Sequence, residues 1–375
     1  MVLYWTFGGK ARLMSERVGF ADEASVTERL MCVATSRASA TAVVGGAWCD
    51  GRPSGEYCSY AGFADTVQAA AAGLSCRGLR PRDVVGVIVP DAVGFALAVH
   101  AVRAAGGVPS PVDPTLRAAE LAGQLAESGA RMVIASAPLA AVALAAADRS
   151  WVRQVFCLGE ALGTTPFAEL LGADIIRPSR GRPDDVALLP FNRGLDGRLR
   201  PVPVTHGEFG RRLSLVDRTA GLSETDVVLA MPPVGDGLHY ALLLDCALLR
   251  GATVVAASAE DLPAAAVARA ASVAIVPPDW CGDLGAQVRI VRAGPWTEDD
   301  MAPGTWRGLA ASGGKERLPA MPRPAGAAVC RGRRRLRRGQ AARSACPRDV
   351  RLRPDIRLVP RRYDRRAHRW GERPS

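Results

Sequence analysis

The sequence predicts an α/β protein with mainly parallel sheet and flanking helices, and three observations predict it. Between Tyr60 and Ile134, stretches with apolar residues at helical spacing alternate with short apolar runs, the pattern of strands joined by crossover helices. A further apolar run, Val186–Leu189, leads into a glycine-punctuated loop and then a helical pattern. Hydrophobic residues make up 48% of the 375, enough for a sizeable interior.

Taken in order, the first 25 residues show little periodicity and read as an irregular lead. Val26–Ser36 reads as a helix with Leu30 and Val33 on one face, and Ala40–Val44 as a short strand. Gly51-Arg52-Pro53-Ser54-Gly55 is a turn-rich link between two strands. Phe63, Val67, Ala71 and Leu74 then recur at helical spacing until Gly78 stops the helix. Arg80-Pro81-Arg82-Asp83 turns the chain into the strand Val84–Val89. Pro90-Asp91 opens a helix whose inner face carries Phe95, Val99 and Val102, and Gly106-Gly107 ends it before Val108. A third helix, near Leu116–Ser128, leads into the strand Met132-Val133-Ile134. Beyond the glycine-rich loop, Glu208–Val216 is amphipathic, Val227–Met231 reads as a strand and Ala241–Leu249 as a helix.

The loop itself is Pro190-Phe191-Asn192-Arg193-Gly194-Leu195-Asp196-Gly197-Arg198-Leu199-Arg200-Pro201-Val202-Pro203-Val204-Thr205-His206. Strand, glycine loop with basic residues, then helix is the layout of a phosphate-holding turn, because glycines let successive N–H groups converge on an anion. Ordinary loops also contain such glycine pairs. In its order of residues the loop resembles the signature of the adenylate-forming superfamily, Tyr-Thr-Ser-Gly-Thr-Thr-Gly-x-Pro-Lys-Gly-Val-x-x-Thr-His, most closely in its acyl- and aryl-acid–CoA ligase branch. Phe191 stands for the Tyr, Gly194 and Gly197 for the glycines and Arg200 for the Lys; Val202, Thr205 and His206 match directly. Asn192, Arg193, Leu195 and Asp196 replace the hydroxyl residues, and Pro201 replaces a glycine and removes an N–H donor. Asp196 puts a carboxylate where a triphosphate would lie, a repulsion of roughly 4 kcal/mol at ~4 Å and an effective dielectric of about 20.

The resemblance extends from about residue 26 to 305. Tyr60–Ala135 is similar to the superfamily's opening segment, whose residues build scaffold. Arg250–Val255, Val273–Pro278 and Val288–Gly294 resemble its later strands. Pro232–Tyr240 occupies the place of a segment bordering the acyl pocket; His239 reads there either as a helix-start histidine or as a substrate-side residue. The family's Tyr-Gly-x-Thr-Glu segment and its lysine-bearing C-terminal domain have no counterpart, and Trp296-Thr297-Glu298 lacks the expected neighbours. The resemblance implies two stacked sheets, as in the large N-terminal domain of these enzymes, with subdomains at 26–185 and 186–310 and a tail over 311–375. It implies nucleotide binding by Asn192, Arg193, Gly194, Leu195, Asp196, Gly197 and Arg200. In intact relatives it implies ATP with magnesium, coenzyme A and a small carboxylic acid, joined through an acyl-adenylate. For this chain it implies a ligase lineage with impaired or absent activity. The rival class is a non-catalytic binding protein or adaptor.

Composition sets further bounds. The longest alanine-rich stretch, Met132–Ala147, is broken by Pro138, and no run of 18 uncharged apolar residues occurs, so no membrane span is expected. With no secretory pattern at the N-terminus, the expected location is cytoplasmic. Nine scattered cysteines without a C-x-x-C pair, and four separated histidines, read as reduced thiols and not as a zinc site. The net charge of +11 is uneven: Arg323–Ser375 holds 18 Arg against four acids, which leaves the remaining 322 residues at −3. That tail reads in three ways: a solvated disordered segment, an arm for nucleic acid or an acidic partner, or out-of-frame text from GC-rich DNA.

Overall fold

The computed structural model describes residues 25–45, 57–172, 178–193, 198–232, 237–277 and 280–293. The N-terminal lead up to residue 24, the turn Gly51–Gly55, the loop tip Gly194–Gly197, Trp296–Glu298 and the tail lie outside the described residues.

Helix α1 (Val26–Ser36) starts on a reciprocal cap. The Ser25 side chain accepts the Glu28 N–H at 3.3 Å, and the Glu28 carboxylate accepts the Ser25 N–H at 3.0 Å. Strands β1 (Thr41–Val44) and β2 (Tyr57–Ser59) lead into α2 (Tyr60–Cys76), capped by Ser59. Then come β3 (Val84–Ile88), α3 (Ala92–Ala104), β4 (Val108–Pro111), α4 (Ala118–Ser128), β5 (Met132–Ser136), α5 (Ala140–Ala147), β6 (Gln154–Leu158) and β7 (Thr165–Pro166). Asp91 caps α3 by accepting the Gly94 N–H at 2.7 Å. The second half runs β8 (Val186–Leu188), β9 (Phe191–Arg193), β10 (Leu199–Pro201), β11 (Val204–Thr205), α6 (His206–Ala220) and β12 (Val227–Ala230). It continues α7 (Gly237–Leu249), β13 (Thr253–Ala256), α8 (Leu262–Ala268), β14 (Val273–Val276) and β15 (Arg289–Arg292).

Two sheets carry the fold. The first has the order β4-β3-β5-β6-β7 and is parallel throughout. The second has the order β15-β14-β12-β13-β1-β2 and is parallel except where β2 meets β1. The expected α/β class with mainly parallel sheets is therefore what the chain adopts. Strands β1 and β2 precede the first sheet in the chain yet belong to the second. Strand β6 and the two-residue β7 extend the first sheet beyond the elements that periodicity marks.

Successive residues on a strand face opposite sides, and here both sides are dry. Val87 and Ile134 of the first sheet, with Val43, Val228 and Val254 of the second, share one core with Phe63, Leu97, Phe209 and Leu244 of α2, α3, α6 and α7. Ile88, Val133 and Val155 pack the other way, on α4 and α5; Leu229, Val255 and Ala274 pack on α8. The layers thus run helix, sheet, helix, sheet, helix. Every residue of α3, and Leu238–Leu248 of α7, is buried. Such helices need no polar stripe, so the inner face expected for α3 is in fact its whole circumference.

Candidate functional site

Strand β8 does not extend either large sheet. It pairs antiparallel with β11, Leu188 opposite Val204 and Val186 opposite Thr205. The Leu189 N–H donates to the Pro109 carbonyl at 2.9 Å, and Ser110 Oγ donates to the Leu189 carbonyl at 2.8 Å. These bonds fix the root of the loop at the carboxyl end of β4, the end where open parallel sheets hold ligands. From there β9 and β10 form a hairpin, with Phe191 opposite Pro201, Asn192 opposite Arg200 and Arg193 opposite Leu199. The Val202 N–H closes its base on the Pro190 carbonyl at 2.8 Å. The chain then returns through β11, and the Thr205 side chain caps α6 by accepting the Glu208 N–H at 3.2 Å. The strand–loop–helix order read from the sequence holds, with three short strands inside it.

The register sorts the candidate residues. Asn192 and Arg200 share one face of the hairpin; Phe191, Arg193, Leu199 and Pro201 share the other. Phe191 is buried, whereas Asn192, Arg193 and Arg200 are exposed. The other four candidates, Gly194, Leu195, Asp196 and Gly197, lie in the tip outside the described residues. The two strand arginines thus present their charge to opposite sides.

A second segment meets β4 one residue further on. An added Cβ on Gly237 would lie 2.4 Å from Pro111 Cβ, so only glycine lets α7 start this close to the strand. Helix α7 accordingly begins four residues earlier than the apolar run Ala241–Leu249 suggests. His239 falls in its first turn and is buried, at 5% exposure. Next to it, the Tyr240 ring meets Phe95 edge-on at 5.2 Å. Burial, with the charge of Asp91, pushes the Tyr240 hydroxyl pKa well up; burial also raises that of Asp91 against its backbone N–H donors. The hairpin root and the His239 turn thus converge on Ser110 and Pro111, beside a dry aromatic cluster at the carboxyl edge of β3.

Sequence reasoning missed a buried charge network beneath this site. Arg103 Nη1 lies 2.8 Å from Asp245 Oδ2, with side chains 1% and 3% exposed. His100 Nε2 lies 3.1 Å from Asp245 Oδ1, and Thr27 Oγ1 lies 3.0 Å from His100 Nδ1. Arg103 Nε donates to the Ala187 carbonyl of β8 at 2.9 Å, and its guanidinium stands 4.5 Å from the centroid of the Phe209 ring. Burial works to raise the Asp245 pKa, but His100 and Arg103 hold its carboxyl below the ordinary range. One guanidinium thereby ties α3, α6 and α7 to the strand that carries the hairpin. Among the described residues, no group of three or more His, Cys, Asp or Glu side chains is placed to hold a metal ion, and no helix is long and apolar enough to cross a membrane.

The family model described as "AMP-binding enzyme" matches residues 32–289. The chain is similar to 4-coumarate–CoA ligase 2 of Solanum tuberosum, 27% identical over 206 residues, covering 52% of this chain and 37% of the relative. It is also similar to 4-coumarate–CoA ligase-like 3 of Oryza sativa subsp. japonica, 30% identical over 256 residues, covering 61% and 42%. Among solved structures, a long-chain-fatty-acid-CoA ligase from Archaeoglobus fulgidus superposes with a TM-score of 0.61 at 21% identity, covering 70% of this chain and 54% of that one. The chain spans about two fifths of the length of these curated relatives.

Proposed function

The chain belongs to the AMP-binding enzyme family, and from that membership we propose that it is an acyl- or aryl-acid–CoA ligase-type protein whose phosphate hairpin is impaired in forming acyl-adenylate. In this reading the substrate is a small carboxylic acid, and His239 and Tyr240 at the start of α7 border its apolar part. ATP, when bound, supplies the adenylyl group, and coenzyme A takes up the acyl group as a thioester. Asn192, Arg193 and Arg200, with the tip Gly194–Gly197, are the residues at the triphosphate position, Arg193 being turned to the side opposite the other two.

The register of β9 against β10 is the observation that carries the proposal. The hairpin is positioned as a phosphate holder requires, at the carboxyl end of β4 and just before a helix. Its donors are wrong for the task. Asn192 and Arg193 offer no hydroxyl, and Arg200 shares a face with Asn192 and not with Arg193. A guanidinium fork also does not reproduce the compact charge of a lysine ammonium. Losing one preorganised donor to a developing charge costs about 10²–10³ in rate.

ATP–pyrophosphate exchange with a panel of aryl and fatty acids tests this. The native chain is expected to give background exchange. The variant Asn192→Thr/Arg193→Ser/Leu195→Thr/Asp196→Thr/Arg200→Lys is expected to rise by about 100-fold or more. Exchange by the native chain above background would overturn the impairment, and a silent restored variant would show that the hairpin is not its sole cause.

A further inference from the structure

The opposite, amino edge of the first sheet holds a cavity of about 400 Å³, distinct from the hairpin. Its wall includes Arg82, Arg103, Arg180, Arg182, Asp185 and His206. Asp185 is the single acid among the lining residues; it accepts from Arg82 at 2.8 Å and lies 3.5 Å from Arg182. Arg180 lies 3.6 Å from Glu28, and Asp245 takes Arg103 Nη1 from below. One carboxylate is therefore shared by two exposed guanidinium arms.

Beneath the arms, two buried nitrogens lack a hydrogen-bond partner among the described residues: Arg103 Nη2 and His206 Nδ1. Arg103 is only 4% exposed, and a buried guanidinium N–H without an acceptor is rarely left so in a folded protein. The backbone of Gly181 closes over the His206 ring, where an added Cβ would stand 2.4 Å from Nε2. Burial, followed by the charge of Arg103, pushes the His206 pKa down to about 4, so near neutrality the ring is an uncharged group able to donate one N–H. His206 is also the first residue of α6; its N–H and that of Gly207 donate to the Asp185 and Pro183 carbonyls at 2.9 Å, just as the Arg103 and Val102 carbonyls at the end of α3 accept from the Gly106 and Gly107 N–H groups at 2.9 Å. Arg82 itself is held in a left-handed backbone conformation, φ 71°, with its N–H on the Gly106 carbonyl at 2.8 Å. Such an outlier on a non-glycine residue marks a position that its surroundings over-determine.

We propose that this cavity binds an oxyanion of the phosphate class, with Arg82 and Arg182 as outer arms and Arg103 and His206 as the floor. Guanidinium forks match phosphate oxygens bidentately, and an anion supplies the acceptor that Arg103 Nη2 lacks.

Calorimetric titration of the full chain with inorganic phosphate, pyrophosphate and ADP tests the site, together with ¹⁵N resonances of the His206 ring. Asparagine tolerates the left-handed conformation, so Arg82→Asn/Arg182→Ser is the variant of choice. Pyrophosphate is expected to shift the His206 nitrogens. Its affinity is expected to fall at least about tenfold in Arg82→Asn/Arg182→Ser and to hold in Arg193→Ser/Arg200→Ser. Either order of pyrophosphate and ADP supports the site and tells a free oxyanion from one carried on a nucleoside. Binding that is lost only in the hairpin variant, or no heat and no His206 shift with any of the three up to millimolar concentrations, overturns it.

Discussion

At the scale of single residues, the group with most at stake is Asp245. It lies in the central helix layer with a guanidinium on one oxygen and an imidazole beside the other. Removing one partner from such a cluster strands the rest, which costs far more than the cluster contributes when intact. Asp245→Ala is therefore expected to lower stability by about 3–5 kcal/mol in urea unfolding, and Arg103→Leu/Asp245→Leu to recover most of it. His206 makes a separate, pH-dependent contribution. Its folded pKa is about 4, whereas an unfolded histidine titrates near 6.5. Between these values the unfolded chain takes up a proton that the folded chain refuses, so stability is full above pH 6.5 and falls as pH drops toward 4. The loss is on the order of 3 kcal/mol at most, less for the ring's partial exposure. Urea midpoints at several pH values should show a flatter profile for His206→Gln over that window; the comparison cancels the carboxylates, which both chains share. None of this was legible beforehand. Arg103 and Asp245 stand 142 positions apart in largely apolar helices, and only the opposite signs hinted at a pair.

At the scale of elements, legibility followed length. Helix α1 spans the residues that its periodicity marks, because Ser25 and Glu28 spell out a cap that needs no tertiary partner. The hairpin strands are three residues each, too short for any alternation to register, and Pro201 and Pro203 read as loop. Helix packing brings its own prediction. On α2, an added Cβ at Gly73 would lie 2.3 Å from the Leu170 carbonyl oxygen and 2.6 Å from its Cα, backbone that has no rotamer to change. On α4, a Cβ at Gly123 would meet nothing within 4 Å. Gly73→Ala is thus expected to destabilise by about 1–3 kcal/mol through overpacking. Gly123→Ala is expected to gain about 0.4–1 kcal/mol by stiffening the unfolded chain. Thermal unfolding of the two variants should shift in opposite directions.

At the scale of the whole molecule, the class of fold was readable and the assignment of strands to sheets was not. Alternating helices and apolar runs announce parallel sheet wherever they occur, and the order β3, α3, β4, α4, β5 follows them closely. Nothing local in Thr41–Val44 says that it will skip the sheet built next in the chain and settle between β13 and β2 of the other. That placement has a consequence for synthesis. Thr41 receives its bond from Thr253, 212 positions later, and the Tyr60 hydroxyl waits for the carbonyls of Leu248 and Ala252. At roughly 5–20 residues per second a ribosome needs about 10–40 s to deliver those partners. For that interval the first strand has β2 on one side and an unmatched ladder on the side that β13 will take, a period in which a holding chaperone has something to hold.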